Sequence, residues 1–570
     1  MDNQVKIGVF FCTCGQIMSD YFDMKVLLDY ARRIPGVINV DENHFLCTRS
    51  GFDWLKTKIT HTRCNRVVIV GCSPLLYEQS FMKVMEEAGL NKYFLSIANI
   101  REGCAWVCRE KENLMSRGRQ IIAAAVKRVK FAKPVEKVRK KINRSVLVIG
   151  AGFTGIQTAL ELQCLGIKPI LVEKQAEVSR KNPPFFIPCI KGVNEQELFS
   201  AKMKDLQESK IELLTSTEVK EVGGNVGSFQ VTLDTRGQEK AVEVGAVVVS
   251  TGDQRQGGQR IQNLPKSRRI VSLSQLRDMV DFEKKPLERM LVTSDKLTKY
   301  VCFILGDSEG FTKTNTIMAL NEAIFLKEQF KAEIVIAVKD ISVSGTELES
   351  LYRQAREKGV LFYRYREDLL PEISLEKGVI TVRLHDPALA VNDGEKAGYN
   401  IAVSSDLLIL EDEIYPHEDT DHLKDVLDIT VNQWGFFQEK NIHLKPNLSN
   451  KKGIFLAGAC HGEEDIYETL NDIRSVVSGV YSYLSQDYLE LEKKINIDTD
   501  KCVLCLTCFR TCPHRAIEIG DEASGQPRGA IVNVEACQGC GICVGECPAK
   551  AIEMVTYSDN QIFSELTFEG

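Results

Sequence analysis

Short apolar runs that end at glycine or cysteine recur along this chain, separated by longer stretches in which apolar residues return every three or four positions. KIGVFFC and RVVIVGCSP read as strands and NLMSRGRQIIAAAVKRV as a long helix, so residues 1–140 are expected to form a small α/β domain. The run from Lys127 to Arg144, KRVKFAKPVEKVRKKINR, is strongly basic and broken by Pro134. That pattern predicts an exposed, solvated linker, with a docking patch for an acidic partner as the other reading.

The strand SVLVIG at Ser145 opens a second α/β region, expected over 141–490, which continues through AVVVSTGD, YVCFILGD, EIVIAVKD and GIFLAGAC. Glycine-ended apolar runs of this kind suggest parallel strands with helices between them. A second Rossmann-like lobe is expected at about 262–434. From about Ile495 the chain becomes cysteine-rich and loop-rich, and 491–570 is expected to form a third domain with α+β character.

Length supports a reading in modules, because 570 residues exceed what one hydrophobic core usually organises. With 44% hydrophobic and 26% charged residues the chain can bury sizeable cores, and a net charge of -6 offers no basic field for nucleic acid. No apolar stretch is long enough to span a membrane, and MDNQVKIGVFFC lacks the pattern of an export signal, which places the chain in the cytoplasm. In that setting 19 cysteines point to metal ligands or redox chemistry rather than to a disulfide scaffold.

Spacing decides between those two. The segments CVLCLTCFRTCPHRAIEI and CQGCGICVGECPAKAIEM share Cys-x2-Cys-x2-Cys-x3-Cys-Pro, with Cys502, Cys505, Cys508 and Cys512 each 35 residues before Cys537, Cys540, Cys543 and Cys547. Two-residue spacers let a short loop bring three thiolates to one iron-sulfur cube, while the cysteine before proline turns away to the neighbouring cube. Cys502, Cys505, Cys508 and Cys547 are therefore expected to hold one 4Fe-4S cluster, and Cys512, Cys537, Cys540 and Cys543 the other. A pair of zinc sites is the alternative, but the duplicated pattern with both prolines resembles bacterial two-cluster ferredoxins.

Gly150, Gly152 and Gly155 follow the strand SVLVI and open the helix FTGIQTALELQCLG, the context in which G-x-G-x-x-G binds a dinucleotide. Glu173 lies 23 residues after Gly150, at the end of PILVEK, where a carboxylate can meet ribose hydroxyls. Thr251 and Gly252 after AVVVS, and Gly458 after GIFLA, resemble the later flavin-contacting segments of two-dinucleotide-domain flavoproteins, which favours FAD over NAD at this site. The other reading is a Rossmann-like half that keeps its glycines for packing alone. Gly306 and Asp307 in the second lobe lack an intact glycine fingerprint, so no nicotinamide nucleotide is assigned there.

Cys12-Thr13-Cys14-Gly15, Cys47, Gly71-Cys72-Ser73-Pro74 and NIREGCAWVCRE, taken with GAGFTGIQTALEL, DISVSGTELESLYRQAREKGV and GIFLAGACHGEEDIYET, resemble the HdrA family, the iron-sulfur flavoproteins of heterodisulfide reductase. The resemblance covers nearly the whole chain. It implies an N-terminal cysteine domain, a thioredoxin-reductase-like FAD domain with two dinucleotide folds, and a ferredoxin domain with two 4Fe-4S clusters. By the same resemblance Cys14, Cys47, Cys72 and Cys104 are ligands of one more 4Fe-4S cluster, with Cys12 competing with Cys14; buried structural thiols are the alternative. Cys108 stands where the family often has histidine and is left out.

The implied function is an oxidoreductase component that relays electrons between FAD, the clusters and partners. Those partners would be HdrB-like and HdrC-like subunits, or the electron-donating component of a dehydrogenase or hydrogenase, and a homodimer is compatible with this. A self-contained NAD(P)H-dependent flavin oxidoreductase and a flavin-free conduit are the rival readings. Departures from the family lie after Glu173, where KQAEVSRKNPPFFIPCI keeps only Cys189 of an expected cysteine pair, and after Tyr300, where the expected cysteines are missing. These departures weaken the case for flavin-based electron bifurcation. Cys164, Cys302 and Cys460 are expected to be core residues, and His461 a loop residue. No residue pattern suggests a hydrolase.

Overall fold

The computed structural model describes residues 4–566 except 109, 179–194, 259–260, 262, 282–291, 294–295, 298–299, 307–312, 377–378, 390–398 and 521–528. It resolves into two compact units, one made of 1–140 together with 490–570 and the other of 141–489. The two ends of the chain thus share a unit.

In the first unit, strands Ile7–Cys12 and Arg66–Gly71 lie at the centre of a parallel sheet, flanked by Val37–Asn43 and Leu95–Asn99. Both central strands are buried almost throughout, which is why their sequences read as unbroken apolar runs rather than alternating ones. The order second-first-third-fourth puts a switch point between the first and third strands. In open α/β sheets, ligand crevices form at the carboxyl ends of such a pair. Cys12 and Cys14 leave one of these ends and Cys72 the other.

The long helix runs Lys111–Lys130, and Glu136–Lys141 is an exposed strand, so the basic run is not a solvated linker. Its cations meet acidic side chains: Arg128 pairs with Glu565 at 3.1 Å, Lys133 with Glu553 at 3.0 Å, Lys137 with Glu86 at 2.7 Å, and Lys140 with Glu535. Three of these four partners come from the cysteine-rich end of the chain, hundreds of residues away. Charge patterning along the sequence cannot show such a partner, and the acidic patch it docks against lies within the same chain.

The cysteine-rich end of that unit is built on two short antiparallel pairs, Ile495–Ile497 with Ile552–Met554 and Ile517–Ile519 with Ala530–Val532. The sequence repeat therefore folds with each half contributing strands to the other's ladder.

The second unit has a parallel sheet in the order Ile454–Leu456, Ala246–Val249, Ser145–Ile149, Lys168–Val172, Glu212–Leu214. A further parallel sheet, in the order Ile270–Ser272, Leu407–Leu410, Tyr300–Leu305, Glu333–Val338, Leu361–Arg364, builds the second lobe. Ser145–Ile149 is fully buried, and its apolar neighbours bury the helix Phe153–Cys164 against it. Cys302 and Cys460 are core residues, but Cys164 is exposed, because it ends its helix on the polar side.

Candidate functional site

A cleft opens over the carboxyl ends of Ser145–Ile149 and Ala246–Val249, walled by Gly150, Gly152, Glu173, Thr251 and Gly252. It encloses about 1380 Å³ including space open to solvent. The three glycines do different things. Gly150 has φ +99°, and a Cβ there would lie 2.6 Å from the Ser250 carbonyl oxygen. A Cβ on Gly155 would lie 1.9 Å from the Gly150 carbonyl oxygen, so this glycine packs the helix onto the turn. A Cβ on Gly152 would meet nothing within 4 Å; it would project into open space at the start of the helix, where backbone N–H groups favour a phosphate.

Glu173 anchors the other side of the cleft. The Ala151 N–H donates to its Oε2 at 2.8 Å and the Gln175 N–H to its Oε1 at 2.9 Å, which fixes the carboxylate at the strand end. Gly458 stands behind the wall, where a Cβ would lie 2.7 Å from Thr154 Oγ1. The Thr251 hydroxyl oxygen is buried with no hydrogen-bond partner among the described residues. A buried, unpaired hydroxyl costs about 1–3 kcal/mol, so a polar ligand in the cleft relieves it, and the residues present fit a dinucleotide. The segment holding His417, Asp419 and His422 closes the rim, with Lys174 Nζ 2.5 Å from Asp419 Oδ1. Sequence reasoning missed that rim because it lies far along the chain and carries no motif.

The repeat cysteines gather into two sets. Burial and the thiols of Cys502, Cys505 and Cys547 raise the Cys508 thiol. Burial and then Cys537, Cys512 and Cys540 push Cys543 up to about 11. Each Cys-Pro cysteine is thus the electrostatic neighbour of the other half's triplet. The Ala516 N–H donates to Cys512 Sγ at 3.3 Å and the Ala551 N–H to Cys547 Sγ at 3.3 Å, so the symmetry extends to the bonds on the crossing thiols. Cys502, Cys505, Cys508 and Cys547 share a small cavity lined by Leu504, Leu506 and Ile497.

At the switch point of the N-terminal sheet, Arg101 Nη1 donates to Cys14 Sγ at 3.3 Å. A hydrogen bond from Cys12, with Arg101 adding to it against burial, lowers the Cys14 thiol to about 6, while that bond and burial raise Cys12. Cys72 is raised by burial and feels Arg101 and Cys14. Cys47 and then Cys72 raise the Tyr77 hydroxyl. Cys14, Cys47 and Cys72 therefore surround one region with Cys12 at its edge. Cys104 faces another way: its thiol donates to the Leu114 carbonyl at 3.7 Å, and burial, then Cys108, raise it. The cause is a wide turn over Arg101–Ala105, closed by Ala105 N–H to Ile100 and Trp106 N–H to Arg101 carbonyls, which aims Arg101 at Cys14 and Cys104 inward.

Two family descriptions match the chain: a 4Fe-4S dicluster domain over residues 501–554 and a pyridine nucleotide-disulphide oxidoreductase over 122–271. Among curated relatives, an HdrA-like heterodisulfide reductase protein of Archaeoglobus profundus is 25% identical over 90% of this chain and 91% of its own. The HdrA-type iron-sulfur component of the CoB-CoM heterodisulfide reductase of Methanocaldococcus jannaschii is 27% identical over 90% of this chain and 91% of its own. Over nine-tenths of its length the chain is similar to HdrA-like heterodisulfide reductase proteins.

It is an oxidoreductase of α/β fold, with a dinucleotide-binding flavoprotein unit and a 4Fe-4S dicluster domain. No helix among the described residues is long and apolar enough to cross a membrane. Cys189 lies outside the described residues, as does Asp307. His461 is not the plain loop residue its sequence context suggests. It is buried among Glu439, Glu464 and Asp472, with contacts of 3.0, 3.3 and 2.7 Å, and the acids at 464 and 472 were not singled out by any motif.

Proposed function

We propose that this chain is the electron-transfer component of a heterodisulfide-reductase-like complex, relaying electrons between FAD in the cleft of the second unit, 4Fe-4S clusters in the first unit and partner subunits. The observation that supports it is that Cys547, from the second half of the repeat, lines one cavity with Cys502, Cys505 and Cys508 of the first. Two independent zinc sites would each use one contiguous group and would need no crossing.

When bound, FAD supplies the exchange between two-electron and one-electron chemistry. The chain's own groups set the conditions for it. Gly152 would leave room for the pyrophosphate at the helix start, Glu173 would meet the ribose, and the Thr251 hydroxyl would gain a partner. In the first unit the Ala516 and Ala551 N–H groups stabilise negative charge on the crossing thiolates. Cys14, Cys47, Cys72 and Cys104 hold a third cluster in this reading, with Arg101 stabilising the Cys14 thiolate. Exposed Ile17, Phe45, Leu75 and Trp106 each lie within a few residues of one of those cysteines. An apolar rim of this kind suits a partner that must approach closely to exchange electrons.

The self-contained NAD(P)H-dependent reading is disfavoured by Gly306, whose N–H donates to Glu411 Oε2 at 2.7 Å. A carboxylate takes the amide that a nucleotide phosphate would require. The test is anaerobic purification of the whole chain followed by counting: about 12 irons with one flavin for three cubes, about eight irons for the dicluster domain alone. Full iron content with no flavin, even after incubation with FAD, would replace this reading with the flavin-free conduit.

A further inference from the structure

At the edge of the cleft His461 Nε2 lies 2.7 Å from Asp472 Oδ2 and 3.3 Å from Glu464 Oε1, and all three donor atoms lie within 4.8 Å of one another. Glu439 Oε1 takes the other imidazole nitrogen at 3.0 Å. The four side chains are between 8% and 15% exposed. Among the described residues no lysine or arginine forms an ion pair with any of the three carboxylates. The nearby Lys313 is committed to Asp465 and Glu468. Even a protonated imidazole leaves this nearly dry cluster net negative, and burying unpaired charge is costly.

We infer that His461, Glu464 and Asp472 form a binding site for one divalent first-row metal ion, with Glu439 orienting the imidazole.

The donor spacing suits this. Bonds of about 2.1 Å give ligand-to-ligand edges of about 3.0 Å in an octahedron and about 3.4 Å in a tetrahedron, close to the two distances measured from Nε2. One imidazole with two carboxylates is a donor set for Mn²⁺, Fe²⁺ or Zn²⁺ rather than for Ca²⁺ or a thiolate-loving ion. A carboxylate on the far nitrogen of a ligating histidine is the usual device for fixing its tautomer and direction. Thr469 Oγ1 donates to the remaining oxygen of Glu464, Oε2, at 3.1 Å, and the Gly458 N–H donates at 3.3 Å to the same Asp472 Oδ2 that faces the imidazole, which fixes both carboxylates. Because Glu464 also lines the cleft, the ion would tie the turn at Gly458, the following loop and the helix Ile466–Leu484 into one wall and place positive charge there.

The test uses the full-length, iron-loaded protein passed over a chelating resin and titrated with Mn²⁺, free ion being read by electron paramagnetic resonance. Uptake of one Mn²⁺ per chain is expected, competed by Zn²⁺, with a ¹⁴N coupling from the imidazole in the bound spectrum. Asp472→Asn should abolish uptake, and Glu439→Gln should weaken it by roughly 10–100-fold, both at unchanged iron content. The ¹⁴N coupling is read on the unmutated protein, so the inference survives or fails even if a variant misfolds. No uptake at millimolar Mn²⁺, or bound Mn²⁺ without nitrogen coupling, would leave the cluster as an ion-pair network and overturn the site.

Discussion

Leu506 holds, in the first cysteine loop, the left-handed backbone position that Gly541 holds in the second: φ is 62° at the leucine and 82° at the glycine, 35 residues apart in the repeat. Leu504 and Gly539 are related in the same way. Left-handed backbone costs a residue with a Cβ roughly 1–2 kcal/mol, so something offsets it here. Both leucines line the cavity shared by Cys502, Cys505, Cys508 and Cys547 and give it apolar walls. Leu506→Gly should therefore change stability by only about 1 kcal/mol, as relieved strain is offset by chain entropy. The potential of that one cluster should shift upward, because water favours the more highly charged reduced state. A redox titration followed by electron paramagnetic resonance checks this, and equal shifts in both clusters would contradict it.

Crossed ligation is checked by Cys512→Ala. Cys512 is adjacent in sequence to Cys508, yet its thiol belongs electrostatically with Cys537, Cys540 and Cys543. The variant should lose or degrade the cluster of that triplet and keep the cluster of Cys502, Cys505 and Cys508. Cys547→Ala should do the reverse.

Two glycine substitutions separate ligand binding from folding. Gly152→Ala adds a Cβ that meets no protein atom, so the fold should hold while flavin retention falls at least tenfold. Gly155→Ala forces a Cβ to 1.9 Å from a carbonyl oxygen and should destabilise the second unit by roughly 1–3 kcal/mol as well as releasing flavin. Thermal unfolding and flavin content distinguish them, and iron content should be unchanged in both.

Glu492 reports on how the two ends of the chain are joined. Its carboxylate accepts from Tyr93 Oη at 2.6 Å and lies 2.5 Å from Lys92 Nζ. Burial alone would raise this carboxyl, but Lys92 and Tyr93 hold it below its ordinary value of 4.5. A depressed acid contributes stability that is fully present above its unfolded value and fades as pH falls through the lowered folded one. Glu492→Gln should therefore cost roughly 1 kcal/mol, discounted for partial exposure, by an amount that stays constant between about pH 8 and pH 5. A difference that grows or shrinks across that window in denaturant unfolding would be inconsistent with it.

What the sequence made legible was local. The repeat cysteines could be sorted from their spacing because two-residue spacers and a following proline dictate geometry within a few residues. Gly150, Gly152 and Gly155 could be read for the same reason, since the turn and helix they serve are contiguous. The acids around His461 were not legible: Glu439 arrives from a separate segment, and Glu464 and Asp472 match no spacing rule. The basic run misled for a related reason, because Glu553 and Glu565, which pair with Lys133 and Arg128, stand more than 400 residues downstream. Exposure of Cys164 depended on which face its helix turned to solvent at the last residue, a detail below the resolution of periodicity.

The N-terminal thiols give the last test. Cys14 and Cys72 flank the switch point of the sheet, and Cys47 and Cys72 both act on Tyr77, so these three thiols are neighbours of one region. The fourth position is where the resemblance and the geometry differ, because Cys104 points to Leu114 and Cys108 while Cys12 touches Cys14. Serine substitutions in the full chain should separate these. Cys14→Ser, Cys47→Ser and Cys72→Ser should each lower iron from about 12 to about eight per chain. If Cys104 is the fourth ligand, the turn at Arg101–Ala105 must rotate on loading, and Cys104→Ser should also remove about four irons while Cys12→Ser leaves the count intact. The opposite result would assign the position to Cys12, with the turn staying as it is. An unmutated chain that carries only about eight irons after anaerobic reconstitution would make all five thiols packing residues.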